Sequence, residues 1–301
     1  MDEFIIPLSD EFKDIYFIEG ENNARYPYSH SMVIGDYLID TGISPKRLRK
    51  VLKTFKIEKV LLSHWHEDHI SGNYLINEKM VYCHEKDKVV IEDIDKMNYF
   101  YNTENTPVAE DLNSLLGVLR VKSITVDDTF VNNQVFDISE QLKLQIIYTP
   151  GHTAGHCAFY EKSSKIAFFA DIDLTRYPYY GNIDASLIEF EDSITHLEKL
   201  DTEIVITGHK APIIGKSNIK AEFEHYKLIL QQREERILIK LREFNRPINP
   251  EDLRGQNLIY LKYSMYKNFE LISEVLMLQK HFDKLEKKGV IIKEKNGYLI
   301  A

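Results

Sequence analysis

Between Leu61 and Gly72 the chain reads Leu-Leu-Ser-His-Trp-His-Glu-Asp-His-Ile-Ser-Gly, which places His64, His66, Asp68 and His69 within six consecutive positions. Neutral imidazole nitrogens and carboxylate oxygens are the donors that divalent transition metals favour, so this spacing points to a metal site. The apolar run Val60-Leu61-Leu62 reads as a buried strand, and the cluster then lies on the loop where that strand ends. Three later apolar runs end the same way: residues 142–148 lead into Pro150-Gly151-His152-Thr153, Ile166–Ala170 into Asp171, and Ile204-Val205-Ile206 into Gly208-His209. Four strand ends carrying ligand-type side chains are what one site at the edge of a layered structure requires. Gly151 lets the backbone fold sharply enough for His152 to point back at the first cluster, and Gly208 is expected to do the same for His209. Asp171 offers an anionic oxygen able to bridge two cations, and seven ligands suffice for two ions about 3.5–4 Å apart.

Other residues are weighed against these. His156 is expected to support the ligand shell rather than bind, while His30, His84, His196, His225 and His281 have no ligand context. Trp65 is read as packing beneath its loop. Arg176, Tyr177, Tyr179 and Tyr180 follow Asp171 closely and should border the site, either binding a substrate anion or stacked base or simply packing a loop.

The His-x-His-x-Asp-His string, Pro-Gly-His-Thr, Asp171 and Gly-His, in that order, resemble the motifs of the metallo-β-lactamase superfamily. The resemblance implies an α/β (α+β) fold, the αββα sandwich, with metals at its edge. It also implies that His64, His66 and His152 hold the first ion, and Asp68, His69 and His209 the second, with Asp171 bridging. The complete set is similar to the dinuclear hydrolase branch, in which a metal-bridging hydroxide attacks the substrate. Asp171 and Asp68 are then the catalytic carboxylates, Asp68 moving a proton to the leaving group. Zinc is the expected metal, with iron or manganese compatible with the same shell.

The elements that must hold these residues follow from periodicity. Strands are expected at 4–8, 15–19 and 30–40, the last folded at Gly35-Asp36; a helix at 45–56 is capped by Ser44 and begins at Pro45, and a strand covers 58–63. A helix is expected to begin within 70–76, followed by a strand at 80–83 and a helix near 85–92. Residues 93–120 are the least regular part, with a short helical pattern through Leu112, Leu115, Leu116 and Leu119, and read either as a surface excursion or as a lid with exposed aromatics. Further strands are expected at 122–126, 129–131, 142–148, 157–161, 166–170 and 204–206, with Asp184 capping a helix that carries Leu187, Phe190, Ile194, Leu197 and Leu200. Residues 1–217 form the catalytic domain. Residues 218–301 form a winged-helix-like module with helices at 218–242, 251–263 and 269–288 and an Asn296-Gly297 hairpin. This tail resembles that of the β-lactamase-like protein 2 and hydroxyacylglutathione-hydrolase-like group.

Composition sets outer bounds. A chain of 301 residues with 44% hydrophobic and 28% charged residues is globular and large enough for a substantial core. The N-terminus lacks the basic and apolar stretches of a signal peptide, and no run is long enough to cross a membrane, so a cytoplasmic protein is expected. Two cysteines, Cys83 and Cys157, are too few for a disulfide framework. The net charge of −9 divides into −13 for residues 1–219 and +4 thereafter. The acidic first module favours a small thioester or ester substrate, as in a hydroxyacylglutathione hydrolase. The mildly basic tail keeps single-stranded RNA cleavage as an alternative. A lactonase is a further alternative, a non-enzymatic winged-helix regulator stands last, and a homodimer stays open.

Overall fold

The structure is a computed structural model that describes residues 2–301. Strands β1 (Ile5–Pro7), β2 (Ile15–Ile18), β3 (Ser31–Ile34), β4 (Tyr37–Ile39), β5 (Lys59–Leu61), β6 (Met80–His84) and β7 (Asp128–Phe130) form one sheet in sequence order. Its first four strands are antiparallel and its last three join in parallel. Strands β8 (Val135–Asp137), β9 (Lys143–Tyr148), β10 (Cys157–Glu161), β11 (Ile166–Phe168), β12 (Ile204–Ile206) and β13 (Ile213–Ile214) form a second sheet, ordered β13-β12-β11-β10-β9-β8.

Alternation along the strands builds the layers, because successive side chains leave a strand on opposite faces. On β3, Met32 and Ile34 enter the cluster between the sheets, where Ile146, Phe159, Phe168 and Ile206 meet them. Val33 faces the other way, into a cluster with Leu48 and Val51 of the helix Pro45–Thr54. On the second sheet Ile147, Ala158, Ala167 and Val205 face out against Phe190 and Ile194 of the helix Leu187–Leu197. The result is the αββα sandwich. Each wholly buried aliphatic or aromatic side chain in these clusters contributes about 1.5–3 kcal/mol.

The ends of elements follow local chemistry. Ser44 accepts from the Arg47 amide at 3.3 Å and Pro45 opens the helix. The helix Leu187–Leu197, by contrast, is capped by Ser186 and not by Asp184, whose carboxylate is occupied by Trp65 and Ala154. No strand forms at 122–126: Val121 and Val126 bury into the outer cluster, but the backbone between them joins no ladder. Residues 93–120 do end in a regular helix, Pro107–Leu119.

The C-terminal region comprises the helices Lys216–Leu241 and Lys267–Lys287 and the hairpin β14 (Ile291–Glu294) and β15 (Gly297–Ile300). The expected helix at 251–263 is absent. Only the short turn Pro250–Leu253 forms, since Gly255 and Asn257 adopt positive φ and break the pattern. Phe223, Tyr226, Leu278 and Phe282 of the two helices share one apolar cluster with Ile147, Phe190 and Ile194. No described helix is long and apolar enough to cross a membrane.

Buried histidines make stability depend on pH, His30 and His281 among them. Burial holds His30 neutral, its pKa lowered to about 3, and His281 likewise at about 4. In the unfolded chain each takes up a proton near pH 6.5, so the unfolded state binds more protons below that value and stability falls as pH drops. Each contributes a slope approaching about 1.4 kcal/mol per pH unit. Urea unfolding of the metal-free protein should give lower stability at pH 5 than at pH 7, with a shallower dependence in His30→Gln. Equal slopes in the two proteins would exclude His30 as a contributor.

Candidate metal centre

The strand-end loops meet at one edge of the sandwich, fixed by buried carboxylates. Asp40, immediately after β4, accepts from the Ser63 amide at 2.7 Å and the Ser63 hydroxyl at 2.6 Å. Its Oδ2 also lies 2.7 Å from His69 Nδ1. Asp87, in the helix Glu85–Ile91, accepts from the Trp65 amide at 3.1 Å, the Thr153 hydroxyl at 2.8 Å and the Gly155 amide at 2.7 Å. One side chain thereby ties the loop after β5 to the loop after β9. Gly151 takes φ +125°, as the sharp fold before His152 requires. Gly208 serves differently: a Cβ there would lie 2.3 Å from Asp171 Oδ1, so it is space rather than dihedral freedom that excludes a side chain.

Two groups of donor atoms result, each within 4.8 Å: His64, His66, His152 and Asp171, and Asp68, His69 and His209. In the first, His152 Nε2 is 2.8 Å from His66 Nδ1 and 3.2 Å from His64 Nε2. In the second, His209 Nε2 is 3.2 Å from Asp68 Oδ2. Asp171 joins them, its Oδ2 3.5 Å from both His152 Nε2 and His209 Nε2 and its Oδ1 2.8 Å from His69 Nε2. The outward nitrogens are each held. His64 Nδ1 is 2.9 Å from Ser63 Oγ, His152 Nδ1 2.8 Å from the Tyr179 carbonyl, His209 Nδ1 2.8 Å from the Ala24 carbonyl, and His66 Nε2 2.9 Å from the Asn182 amide. A carbonyl on Nδ1 fixes the tautomer that leaves the Nε2 lone pair facing inward.

This donor set suits divalent metal. Burial, reinforced by the neighbouring imidazoles, lowers the pKa of His64 and His66 well below the ordinary value, and burial lowers His152. These three rings are thus neutral, and His64 and His152 present a free nitrogen to the centre. Burial also acts against charge on His69 and His209, yet Asp171 with Asp40 holds His69 up at about 10, and Asp171 with Asp68 holds His209 well above its usual range. Asp171 itself is kept well below the carboxylate range by His69 and His209, against the pull of burial. Two protons therefore stand where positive charge is wanted. His69 Nε2 and Asp171 Oδ1, although close, lack hydrogen-bond geometry toward each other and are without another partner among the described residues. Atoms aimed at a common point rather than at each other suit a shared ion.

The four residues after Asp171 part company. Tyr179 reaches the site, its ring 5.8 Å from His66 and 5.9 Å from His152. Arg176 and Tyr177 are exposed, and Tyr177 retains 72% of its surface. Tyr180 is fully buried at the seam with the C-terminal helices, which agrees with the packing alternative for this residue rather than the substrate-binding one. His156 supports the shell, its Nε2 accepting from the Asp171 amide at 3.2 Å. Trp65 is buried, with its Nε1 donating to Asp184 at 3.2 Å. Residues given no supporting role by the sequence are Asp40, Asp87, Asn182 and Glu67, and Asp184 is read there only as a helix cap. Glu67 is buried and accepts from the hydroxyls of Tyr26 and Tyr101. Only Glu67 carries a signal, its place inside the histidine string.

Residues 27–209 match the family model described as the metallo-beta-lactamase superfamily. The Beta-lactamase-like protein 2 homolog of Drosophila melanogaster is 25% identical over 264 residues, covering 84% of this chain and 78% of its own. The Atrochrysone carboxyl ACP thioesterase of Aspergillus fumigatus is 24% identical over 218 residues, 69% of this chain and 57% of its own. Among solved structures, a metallo-beta-lactamase family protein from Thermus thermophilus superposes with a TM-score of 0.65 at 19% identity, over 99% of this chain and 97% of its own, which establishes the shared fold.

Proposed function

Given that the chain belongs to the metallo-β-lactamase superfamily and is a metallo-hydrolase, we propose that it binds two divalent ions, zinc by preference, and hydrolyses a small thioester or ester. The observation that carries this reading is the pair of donor groups sharing Asp171. His64, His66 and His152 would hold one ion and Asp68, His69 and His209 the other, with Asp171 between them. When bound, such ions supply an activated water at neutral pH and polarise the acyl oxygen.

The chain's own side chains do the rest. His64 and His69 are fully buried, whereas the side chains of Asp171 and His209 keep 12% and 19% exposure, so substrate approaches over those two. Tyr179, partly exposed beside His66 and His152, offers an aromatic wall that suits an acyl chain, and Tyr101 is buried behind it against His66 at 5.6 Å. Asp68, whose Oδ2 lies 3.2 Å from His209 Nε2, would pass a proton to the leaving group. The likeness to a thioesterase and the net charge of −9 both favour a small acyl substrate over a polyanion.

Metal analysis of the purified protein, combined with lactoyl-glutathione, a lactone, a chromogenic phosphodiester and single-stranded RNA, tests the reading. Two ions per chain with thioester turnover is the expected result. Activity confined to the phosphodiester and RNA would overturn the substrate class, and a protein unable to take up metal would overturn the whole. Full turnover by metal-loaded Asp68→Asn would remove Asp68 from proton transfer.

A further inference from the structure

The segment 178–184 lies between the metal centre and the C-terminal helices and is held from both sides. On one side, the Tyr179 carbonyl lies 2.8 Å from His152 Nδ1, and the Asn182 amide 2.9 Å from His66 Nε2 and 3.1 Å from the His152 carbonyl. On the other side, Arg233 Nη1 donates to the Pro178 carbonyl at 2.6 Å and to the Tyr180 hydroxyl at 3.1 Å. His281 Nε2 is 2.9 Å from the same hydroxyl, and Lys280 Nζ donates to the Ile183 carbonyl at 3.0 Å. The fit is close: a Cβ on Gly181 would lie 2.7 Å from Ser273 Cβ of the last helix.

Arg233 is the unexpected member. It is 2% exposed and makes no ion pair with a carboxylate among the described residues, so its charge is met by a carbonyl, a phenol and the Tyr180 ring face at 5.5 Å. A buried guanidinium without a carboxylate is destabilising, and an apolar side chain would fill the same space without that penalty. What the guanidinium uniquely does is fix two points of the segment that orients His152.

We propose that Arg233, with His281 and Lys280, is a positioning residue for the metal centre: through Pro178, Tyr180 and Ile183 the C-terminal helices set the orientation of His152 and His66. The C-terminal region is thereby an outer part of the ligand shell. This rests on the reading of His64, His66 and His152 as a metal-binding group. Partners that orient ligands in this way typically change metal affinity about 10- to 100-fold when lost, and Arg233 acts one residue further out.

The test uses the full-length protein as wild type, Arg233→Met, Tyr180→Phe and, as a stability control, Phe282→Leu, a core change in the same helix layer that touches none of the segment's hydrogen bonds. Zinc dissociation constants are measured by competition with a chromogenic chelator, the visible spectrum is recorded after loading with cobalt(II), and thermal unfolding of each metal-free protein is followed in parallel. Wild type should bind two ions. Arg233→Met and Tyr180→Phe should each weaken one of the two by about 3- to 10-fold and alter the cobalt spectrum, while Phe282→Leu lowers the melting temperature and leaves both affinities unchanged. Wild-type affinities and spectrum in Arg233→Met and Tyr180→Phe would overturn the inference, as would an equal loss of affinity in Phe282→Leu. A wild-type protein that binds no metal would instead overturn the underlying reading of the histidine group.

Discussion

Asp171→Ala is expected to lose on the order of 10³-fold in kcat/KM, about 4 kcal/mol of barrier, and to retain less than two ions per chain. Among the described residues, Asp171 is the carboxylate that reaches both donor groups, with Oδ2 3.5 Å from His152 and from His209 and Oδ1 2.8 Å from His69. Without it the first group is left with three neutral imidazoles and the second with a single carboxylate, Asp68. Two cations held so close without a shared anion repel strongly in a buried setting. The backbone should stay in place, since the Asp171 amide is anchored on His156 and not through its own side chain. Steady-state kinetics and metal stoichiometry on the same preparation check this, and two retained ions with near wild-type turnover would refute the bridging role.

Asp87→Ala is expected to produce the largest loss of stability, about 3–5 kcal/mol, although Asp87 touches no proposed ligand. Its removal leaves the amides of Trp65 and Gly155 and the hydroxyl of Thr153 without their acceptor in a fully buried position. Each unsatisfied buried donor costs about 1–3 kcal/mol. Burial, followed by the charge of Asp184, pushes the Asp87 carboxyl well above its usual range, with the three donors pulling it back. Part of what the hydrogen bonds contribute therefore offsets desolvation, which is why the expected loss is less than their sum. For a chain of this size the melting temperature should fall by about 10 °C. A fall of under about 2 °C in calorimetry of the metal-free protein would show that the two loops hold together without it.

Much of the site is legible in the sequence because its motifs are local. His64 to His69 lie in one short stretch of chain, and His152, Asp171 and His209 each follow an apolar strand with little else around them to confuse the reading. The supporting carboxylates are not legible, because their meaning lies in partners far along the chain. Asp87 answers residues 22 and 68 positions away, and Asp184 answers Trp65 across 119. An isolated aspartate in a helix that starts Glu-Lys-Asp-Lys looks like any solvated surface residue. Tyr180 shows where sequence leaves a choice open: proximity to Asp171 allows either substrate binding or loop packing, and the chain turns it into the seam beneath the C-terminal helices.

The fold shows the same division. Long periodic elements such as the helix Lys216–Leu241 and the strand Cys157–Glu161 are visible from their patterns, and the Asn296-Gly297 signal does close a hairpin. The short edge strands Val135–Asp137 and Ile213–Ile214 escape such a reading, because two or three residues make no period and their pairing is decided by the neighbouring strand. At 122–126 the apolar pattern is real, but it reports burial against a helix layer rather than a ladder. Local pattern reveals what faces inward, and only the tertiary structure decides what it faces.

Tyr26, Met265 and Tyr266 belong to none of the three apolar clusters and keep 40%, 87% and 44% of their surface, yet Tyr26 bonds Glu67 inside the histidine string and packs edge-on to Tyr266 at 5.7 Å. The rim formed by Tyr26 and Tyr266 is thus joined to the interior through the Tyr26–Glu67 bond rather than through an apolar cluster. Evolution can rewrite such a rim one side chain at a time, with changes away from buried features usually within about 0.5 kcal/mol, while the donor groups beneath stay as they are. Substitutions there change the shape of the rim at little cost in stability.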